Sequence, residues 1–507
     1  MSECVRVEKV GDSGSLYRGL KKLGLRDVTT AKKDTKLTTE KFREHFKKVS
    51  NDRFENDPAE IERAVERCED LRGTEESKWW SENLNGPPGK PEILAQMAKM
   101  RDSSPGEDGV RLSYLLKGGE KVVDEVVRIV QFMFVEPVEK WEDCLRSGVV
   151  VPLYKMKGDR DDPGNYRGVC LLSMGSRILA RIVANRLAVW AEARGLLDDD
   201  QQGFRKKRAT TDATQMMWQI KEDVVDLERR REGEVVDDKE RLAGRLLDLK
   251  KAYARVSKPA LWGILERYGL DGNFLESIKT LHECTEYKIR GKMAYSEPWV
   301  PDRGLREGCP SSPILFNIYH QVVMRVAAIE RRRRAGEVGL VAGVVVRWVP
   351  GSAFPSEKTW EKKNLEAVDV VVDKSLFADD TTILGNMEEL EEGVKTTKEV
   401  MGWYEERNND GKEEELVFGD EESGKIRMLG SWMNWKEDLS ERLKRGGKAW
   451  WKTRQRLKDA RISRLMQAKI VEASVESSML FDCQARTWKV AEMQKMQSLV
   501  DRAYRYV

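Results

Sequence analysis

Only three histidines occur in the 507 residues, at His45, His282 and His320. Imidazole acid–base chemistry is therefore thinly supplied, and carboxylates are the better source of reactive groups. The seven cysteines stand singly, at Cys4, Cys68, Cys144, Cys170, Cys284, Cys309 and Cys483. None forms a CxxC pair, which argues against a zinc ribbon or a disulfide framework and fits a reducing, intracellular setting, nucleus or cytoplasm. No stretch approaches the roughly 20 apolar residues of a membrane helix, so no membrane partner is expected. The opening MSECVRVEKV lacks the basic start and apolar core of a secretory signal. No internal repeat is present.

What the chain has in abundance is charge. Charged residues make up 35% and apolar residues 40%, with 90 Lys/Arg against 87 Asp/Glu. The near balance conceals segregation. Residues 386–440 hold 16 acidic and 7 basic side chains, while 442–507 hold 16 basic and 6 acidic. A basic block with helical spacing is either a phosphate-binding surface or a solvated helix face.

The length allows two or three domains. Residues 1–90 read as a charged, helical N-terminal extension, closed by the break NGPPGKP. Residues 121–134 have the three- and four-residue apolar spacing of a helix. SGVVVPLYK (147–155) and RGVCLLS (167–173) are β-branched and read as a hairpin around a polar turn. A long helix over 176–195 ends at Gly195. RLLDLKKAYARV begins as a buried strand and turns polar at Asp248. Residues 330–375, including ERRRRAG, read as an inserted loop with its own strands. SLFADDTTILG (375–385) reads strand–turn–strand, and the tail from 440 is helical.

The adjacent acids Asp379 and Asp380 lie between apolar, β-prone residues. Alone, such a pair is in most chains simply a turn. At a hairpin tip, however, the two carboxylates project beside one another and repel unless a cation lies between them. Asp248 ends the run Leu246-Leu247 and would finish a neighbouring strand. Three carboxylates from two strands suit a pair of hard cations, Mg²⁺ or Mn²⁺.

The companions of these acids carry a resemblance. FADDTTILG resembles the F/Y-x-D-D box of reverse transcriptases, and LLDLKKAYARV resembles their first aspartate motif. GLREGCPSSPILFNIY resembles G-x-x-Q-G-x-x-x-S-P. VVVPLYKMKGDRDDPGNYRGVCLLS resembles the finger motif of LINE-type, non-LTR retrotransposon enzymes. QQGFRKKRATTDA resembles their Q-x-G-F-R segment, and SSPGEDGV their upstream P-G-x-D-G element. NNDGKEEELVFG and RMLGS look like two later palm motifs. All stand in the family's order between about residues 100 and 435.

The resemblance implies an α+β, right-hand polymerase. Fingers and a first palm segment fall at 91–245, a palm at 246–435 and a helical basic thumb at 436–507, with the reverse transcriptase domain overall at about 136–435. It implies RNA-directed synthesis of DNA from dNTPs on an RNA template and a DNA primer. Asp248, Asp379 and Asp380 match the metal ligands, and Lys412 a proton donor to pyrophosphate. Tyr253 matches the aromatic residue under the sugar that excludes a 2′ hydroxyl. Lys155 and Arg167 match triphosphate contacts, and Leu249, Glu307 and Gly308 other substrate-contacting positions. Gly308, Pro310, Ser312 and Pro313 match a turn that lets main chain approach template and nucleotide. Arg205, Lys206 and Arg208 are the expected nucleic-acid contacts, with Trp450 and Trp451 either core or stacking surfaces in the thumb. Two departures stand out: Glu307 replaces the usual glutamine, and Ser311 a common leucine. No endonuclease candidate lies in 1–90, so the chain reads as one piece of a longer polyprotein or as a decayed copy, the alternative being an RNA-binding relic of the same fold.

Overall fold

The computed structural model describes residues 35–52, 55–230, 241–283, 285–291, 294–338, 343–348, 368–419, 426–454, 457 and 463–506. They fall into two compact units, one of 35–208 with 241–414 and one of 209–230 with 415–506. The architecture is mixed helix and sheet. Among the described residues no helix is long and apolar enough to cross a membrane.

In the larger unit the expected first hairpin forms. Strand β1 (Ser147–Tyr154) pairs antiparallel with β2 (Tyr166–Leu172), from Gly148 opposite Leu172 to Tyr154 opposite Tyr166. Two further strands follow, β3 (Leu242–Asp248) and β4 (Glu286–Ile289), and β4 runs parallel to β1. The helix Thr39–Ser50, capped by the Thr38 side chain, buries Phe42 in a cluster with Val150, Tyr166, Ile289 and Trp299. A capping box of Asp57 and Glu60 starts the helix Pro58–Glu66. Its Ala64 carbonyl accepts from the Tyr404 hydroxyl at 2.5 Å. The described N-terminal helices are thus built into this core rather than appended to it.

Strands β5 (Val344–Trp348) and β6 (Val368–Val372) form a separate antiparallel pair, and the inserted segment between them, 349–367, lies outside the described residues. Strands β7 (Lys374–Phe377) and β8 (Asp380–Asn386) form the expected acid-tipped hairpin, and β8 also pairs antiparallel with β3. The loop expected from residue 330 begins later, because the helix Ser312–Val338 runs through ERRRRAG. Glu330 pairs with Arg333 and Arg334 at helical spacing, and Arg331 forms a buried ion pair with Asp373 at 2.9 Å. Of the arginines read as loop residues, Arg333 and Arg334 brace the helix itself, and Arg331 ties it to Asp373.

The smaller unit is mainly helical, with Thr210–Arg230, Trp435–Arg454, Arg464–Val471 and Val490–Tyr504, and carries a short antiparallel pair, Arg427–Met428 with Ser431–Trp432. Buried Asp438 accepts from Arg442 at 2.8 Å and from Arg486 at 3.1 Å. Arg486 also lies over the Trp488 ring at 3.4 Å. Two of the tail's arginines are therefore part of its core. Trp450 packs against a buried cluster around Val471, whereas Trp451 is 62% exposed with Arg454 stacked on its face.

Candidate active site

Antiparallel register sets Asp248, the last residue of β3, directly opposite Asp380, the first of β8. Directly opposed residues project to one face of a sheet, so both carboxylates share a side. The β7–β8 connection is the two-residue turn Ala378-Asp379, closed by the pair Phe377–Asp380. Asp380 is open to solvent on one side and crowded by protein on the others. That partial burial, and then the charges of Asp379 and Asp248, lift its carboxyl to about 6. The three acids therefore feel one another, as a cation site requires. Their all-oxygen donor set suits a hard divalent ion. Among the described residues no three acid, histidine or cysteine side chains are already gathered at ligating distance. Lys412 Nζ donates to Asp248 Oδ2 at 2.7 Å.

The turn is braced from behind. Ala378 has φ +57°, a left-handed conformation in which a side chain is strained. Its amide donates to Gln201 Oε1 at 2.9 Å, and the same oxygen accepts from the Gly203 amide at 2.8 Å. Asn317 Nδ2 donates to the Gly203 carbonyl at 2.7 Å. Gln202 and Asp200 exchange main-chain hydrogen bonds with Leu376. A Cβ on Gly203 would lie 2.3 Å from the Ala378 nitrogen. Sequence reasoning missed Gln201, Gly203 and Asn317 as supports. The Q-x-G spacing was visible, but its partner hairpin lies more than a hundred residues away.

The basic residues after this segment divide. Arg205 donates to Glu192 and to the carbonyls of Asp198 and Gln201, and its side chain is only 6% exposed. It is spent on the fold, which corrects its expected place on a nucleic-acid surface. Arg208 pairs with Asp199 at 2.5 Å. Lys206 is exposed and reaches Asn185.

Main-chain bonds tie the end of β3 to the segment 407–412. The Asn409 amide donates to the Asp248 carbonyl, and the Lys250 amide to that of Arg407. Leu249 bridges Asn408, and its side chain is buried. Tyr253 stacks on Phe316 with ring centroids 5.0 Å apart. Burial, with Asp379 and Glu307 nearby, pushes its phenol well up. Gly308 has φ +103°, and a Cβ there would lie 2.8 Å from the Cys170 carbonyl oxygen. The Glu307 carbonyl accepts from the Cys170 amide at 2.7 Å, so this turn is hooked onto β2.

Glu307 lies 3.4 Å from Arg167. Lys155 hydrogen-bonds the Gly164 carbonyl. Burial lifts the Glu307 carboxyl above its ordinary range; Arg167 and Lys155 oppose the rise and Asp379 adds to it. A raised carboxyl pKa means that the folded chain binds the proton more readily than the unfolded one. The ionised form then costs stability fully above both pKa values and not at all below the ordinary one. Glu307→Gln is accordingly expected to raise the melting temperature near pH 8 but not near pH 4, as followed by circular dichroism.

The reverse transcriptase (RNA-dependent DNA polymerase) family matches residues 155–433, more than half of the chain. A Drosophila melanogaster protein named as the probable RNA-directed DNA polymerase from transposon BS is 24% identical over 174 residues, 34% of this chain and 18% of that protein. The transposon TX1 uncharacterized 149 kDa protein of Xenopus laevis is 27% identical over 284 residues, 55% of this chain and 20% of that protein. A Pol polyprotein of retrotransposable element R2 from Popillia japonica is 26% identical over 243 residues, 46% of this chain and 29% of that protein. The chain thus matches less than a third of the length of each of these relatives. With the paired aspartates on adjacent strands and this match across both, the chain belongs to the reverse transcriptase family, among its non-LTR retrotransposon members.

Proposed function

We propose that the chain is an RNA-directed DNA polymerase that adds deoxynucleotides to a DNA 3′ end on an RNA template. The observation that supports this most is the register that opposes Asp248 and Asp380 beside Asp379. In this reading β3, β7 and β8 are the palm, the β1–β2 hairpin belongs to the fingers, and the basic helices from Trp435 form the thumb. Asp248, Asp379 and Asp380 would hold Mg²⁺ or Mn²⁺. Such ions, when bound, stabilise the attacking oxygen and the leaving pyrophosphate. Tyr253 floors the sugar site, and Arg167 and Lys155 meet the triphosphate. Lys412 holds an Asp248 oxygen and stands ready as a proton donor.

A cavity of about 440 Å³ supports nucleic acid as the partner. It is lined by Lys99, Met100, Arg101, Ser103, Arg177, Arg181 and Pro310. Arg177 is held by Ser103, Ser104 and Leu172. Four of the seven lining residues are cations; among the described residues no carboxylate lies within ion-pair distance of them, although the Asp108 charge acts on Arg177. Nothing in the sequence distinguishes these four from other cations, because Lys99 and Arg101 follow the helix Lys90–Ala98 while Arg177 and Arg181 lie on the helix Met174–Ala193. If each phosphate contact releases counterions, the Lys99→Gln/Arg101→Gln/Arg181→Gln variant should bind single-stranded RNA with a log K–log salt slope shallower by about 2. Fluorescence anisotropy at several salt concentrations measures this.

The test of the function is extension of a DNA primer on an RNA template with Mg²⁺ and either dNTPs or rNTPs. Extension with dNTPs is expected. Extension by rNTPs alone would replace the reading with RNA synthesis, and no extension with either would overturn it.

A further inference from the structure

Three rings lie in a ladder behind the nucleotide site. Tyr253 and Phe316 are stacked with centroids 5.0 Å apart and planes 13° apart. Phe316 and His320 are stacked at 5.5 Å and 12°. Phe316 and His320 are four residues apart on one helix and so share a face. His320 is fully buried and ends the ladder. Its Nδ1 meets both oxygens of Glu406, at 2.9 and 3.1 Å, and its Nε2 meets the Thr381 hydroxyl at 3.0 Å. Glu406 and Thr381 are buried as well, and Thr381 directly follows Asp380.

We propose that His320 is a positioning residue that sets the tilt of Tyr253 through Phe316 and the seat of Asp380 through Thr381. Packing alone does not call for a histidine here, since phenylalanine has similar bulk and would stack equally well. What phenylalanine lacks is the pair of ring nitrogens. Without them the Glu406 carboxylate would be left buried without this partner, a costly arrangement. With them, contacts on opposite sides of the imidazole fix its plane, and a carboxylate holds it on one side. Phe316 takes that plane, and Tyr253 takes the plane of Phe316. The floor that admits a deoxyribose and the turn that carries two acids are therefore referenced to one side chain.

The inference rests on the polymerase reading and makes a claim that reading does not contain. A residue that only stabilises the fold changes the active fraction. That scales kcat but leaves KM and the preference for dNTP over rNTP unchanged. A residue that sets the tilt of Tyr253 changes the preference itself. The test is primer extension with matched dNTP and rNTP by the wild type, His320→Gln, Phe316→Leu and Thr381→Val, each checked by thermal melting. His320→Gln and Phe316→Leu are expected to lower the dNTP:rNTP preference about three- to tenfold, the size of one stacked-ring interaction. Thr381→Val should lower kcat and keep the preference, and Thr381→Ser should restore kcat. If His320→Gln does not fold, Phe316→Leu decides. Unchanged preference in a folded, active variant overturns the ladder and leaves the polymerase reading standing. A wild type that extends nothing overturns both.

Discussion

Asp379→Asn is expected to reduce primer extension by on the order of a thousandfold or more, the scale seen when a preorganised charge contact to a reacting centre is removed. Binding of the primed template should persist. The two outcomes separate because Asp379 sits at the tip of a turn, and its side chain is not what holds that turn. The brace is made by the Ala378 amide, Gln201 and Gly203. Asparagine preserves the shape and removes one negative charge. That charge is one of the causes lifting the Asp380 carboxyl to about 6, so its loss relieves repulsion in the folded state. The melting temperature should therefore hold or rise while activity disappears. Extension rates, anisotropy with a labelled primer–template and a melting curve together check this. Normal extension by the variant would remove Asp379 from the site.

Gly203→Ala is expected to lower kcat by about a hundredfold, the penalty for displacing reacting groups by roughly an ångström. The added methyl would meet the main-chain nitrogen of Ala378 at 2.3 Å. A main-chain atom in a two-residue turn cannot rotate aside as a long side chain can. Either the turn shifts, taking Asp379 with it, or residues 201–203 withdraw and both amides lose the Gln201 oxygen. Both routes move the acids. RNA binding should change little, because Gly203 is buried and presents no surface of its own. Single-turnover extension at saturating dNTP reads the effect, and a rate within a factor of about three of the wild type would show that the brace is dispensable.

The acid site was legible in the sequence because its signals are local. Asp379-Asp380 lies between β-prone flanks, and Asp248 ends an apolar run; hairpin chemistry and strand alternation then place them. The structure adds the partner strand, and register turns two separate motifs into opposed carboxylates. Supports of the site were not legible. Gln201, Asn317 and His320 act on residues far along the chain, and a buried polar side chain looks in sequence like any other polar residue. Arg205 was misplaced for the same reason. An arginine on a surface and one folded onto Glu192 have the same letter and similar neighbours. The run ERRRRAG was read as part of the inserted loop 330–375, whereas helical spacing of Glu330 with Arg333 and Arg334 explains why it stays helical.

The described residues of the smaller unit come from two stretches, with strands β3 to β8 of the larger unit between them in sequence. Helix Thr210–Arg230 places Trp218 against Trp435, with ring centroids 5.2 Å apart. On a ribosome adding about 5–20 residues per second, the helix waits on the order of 10–40 s for that partner to emerge. For that interval, among the described residues, the buried face carrying Ala213, Met217 and Trp218 lacks its partners from 415–506. The nascent chain is therefore most open to holding chaperones, and to neighbouring copies on the same message, after β3 is made and before the final helices follow.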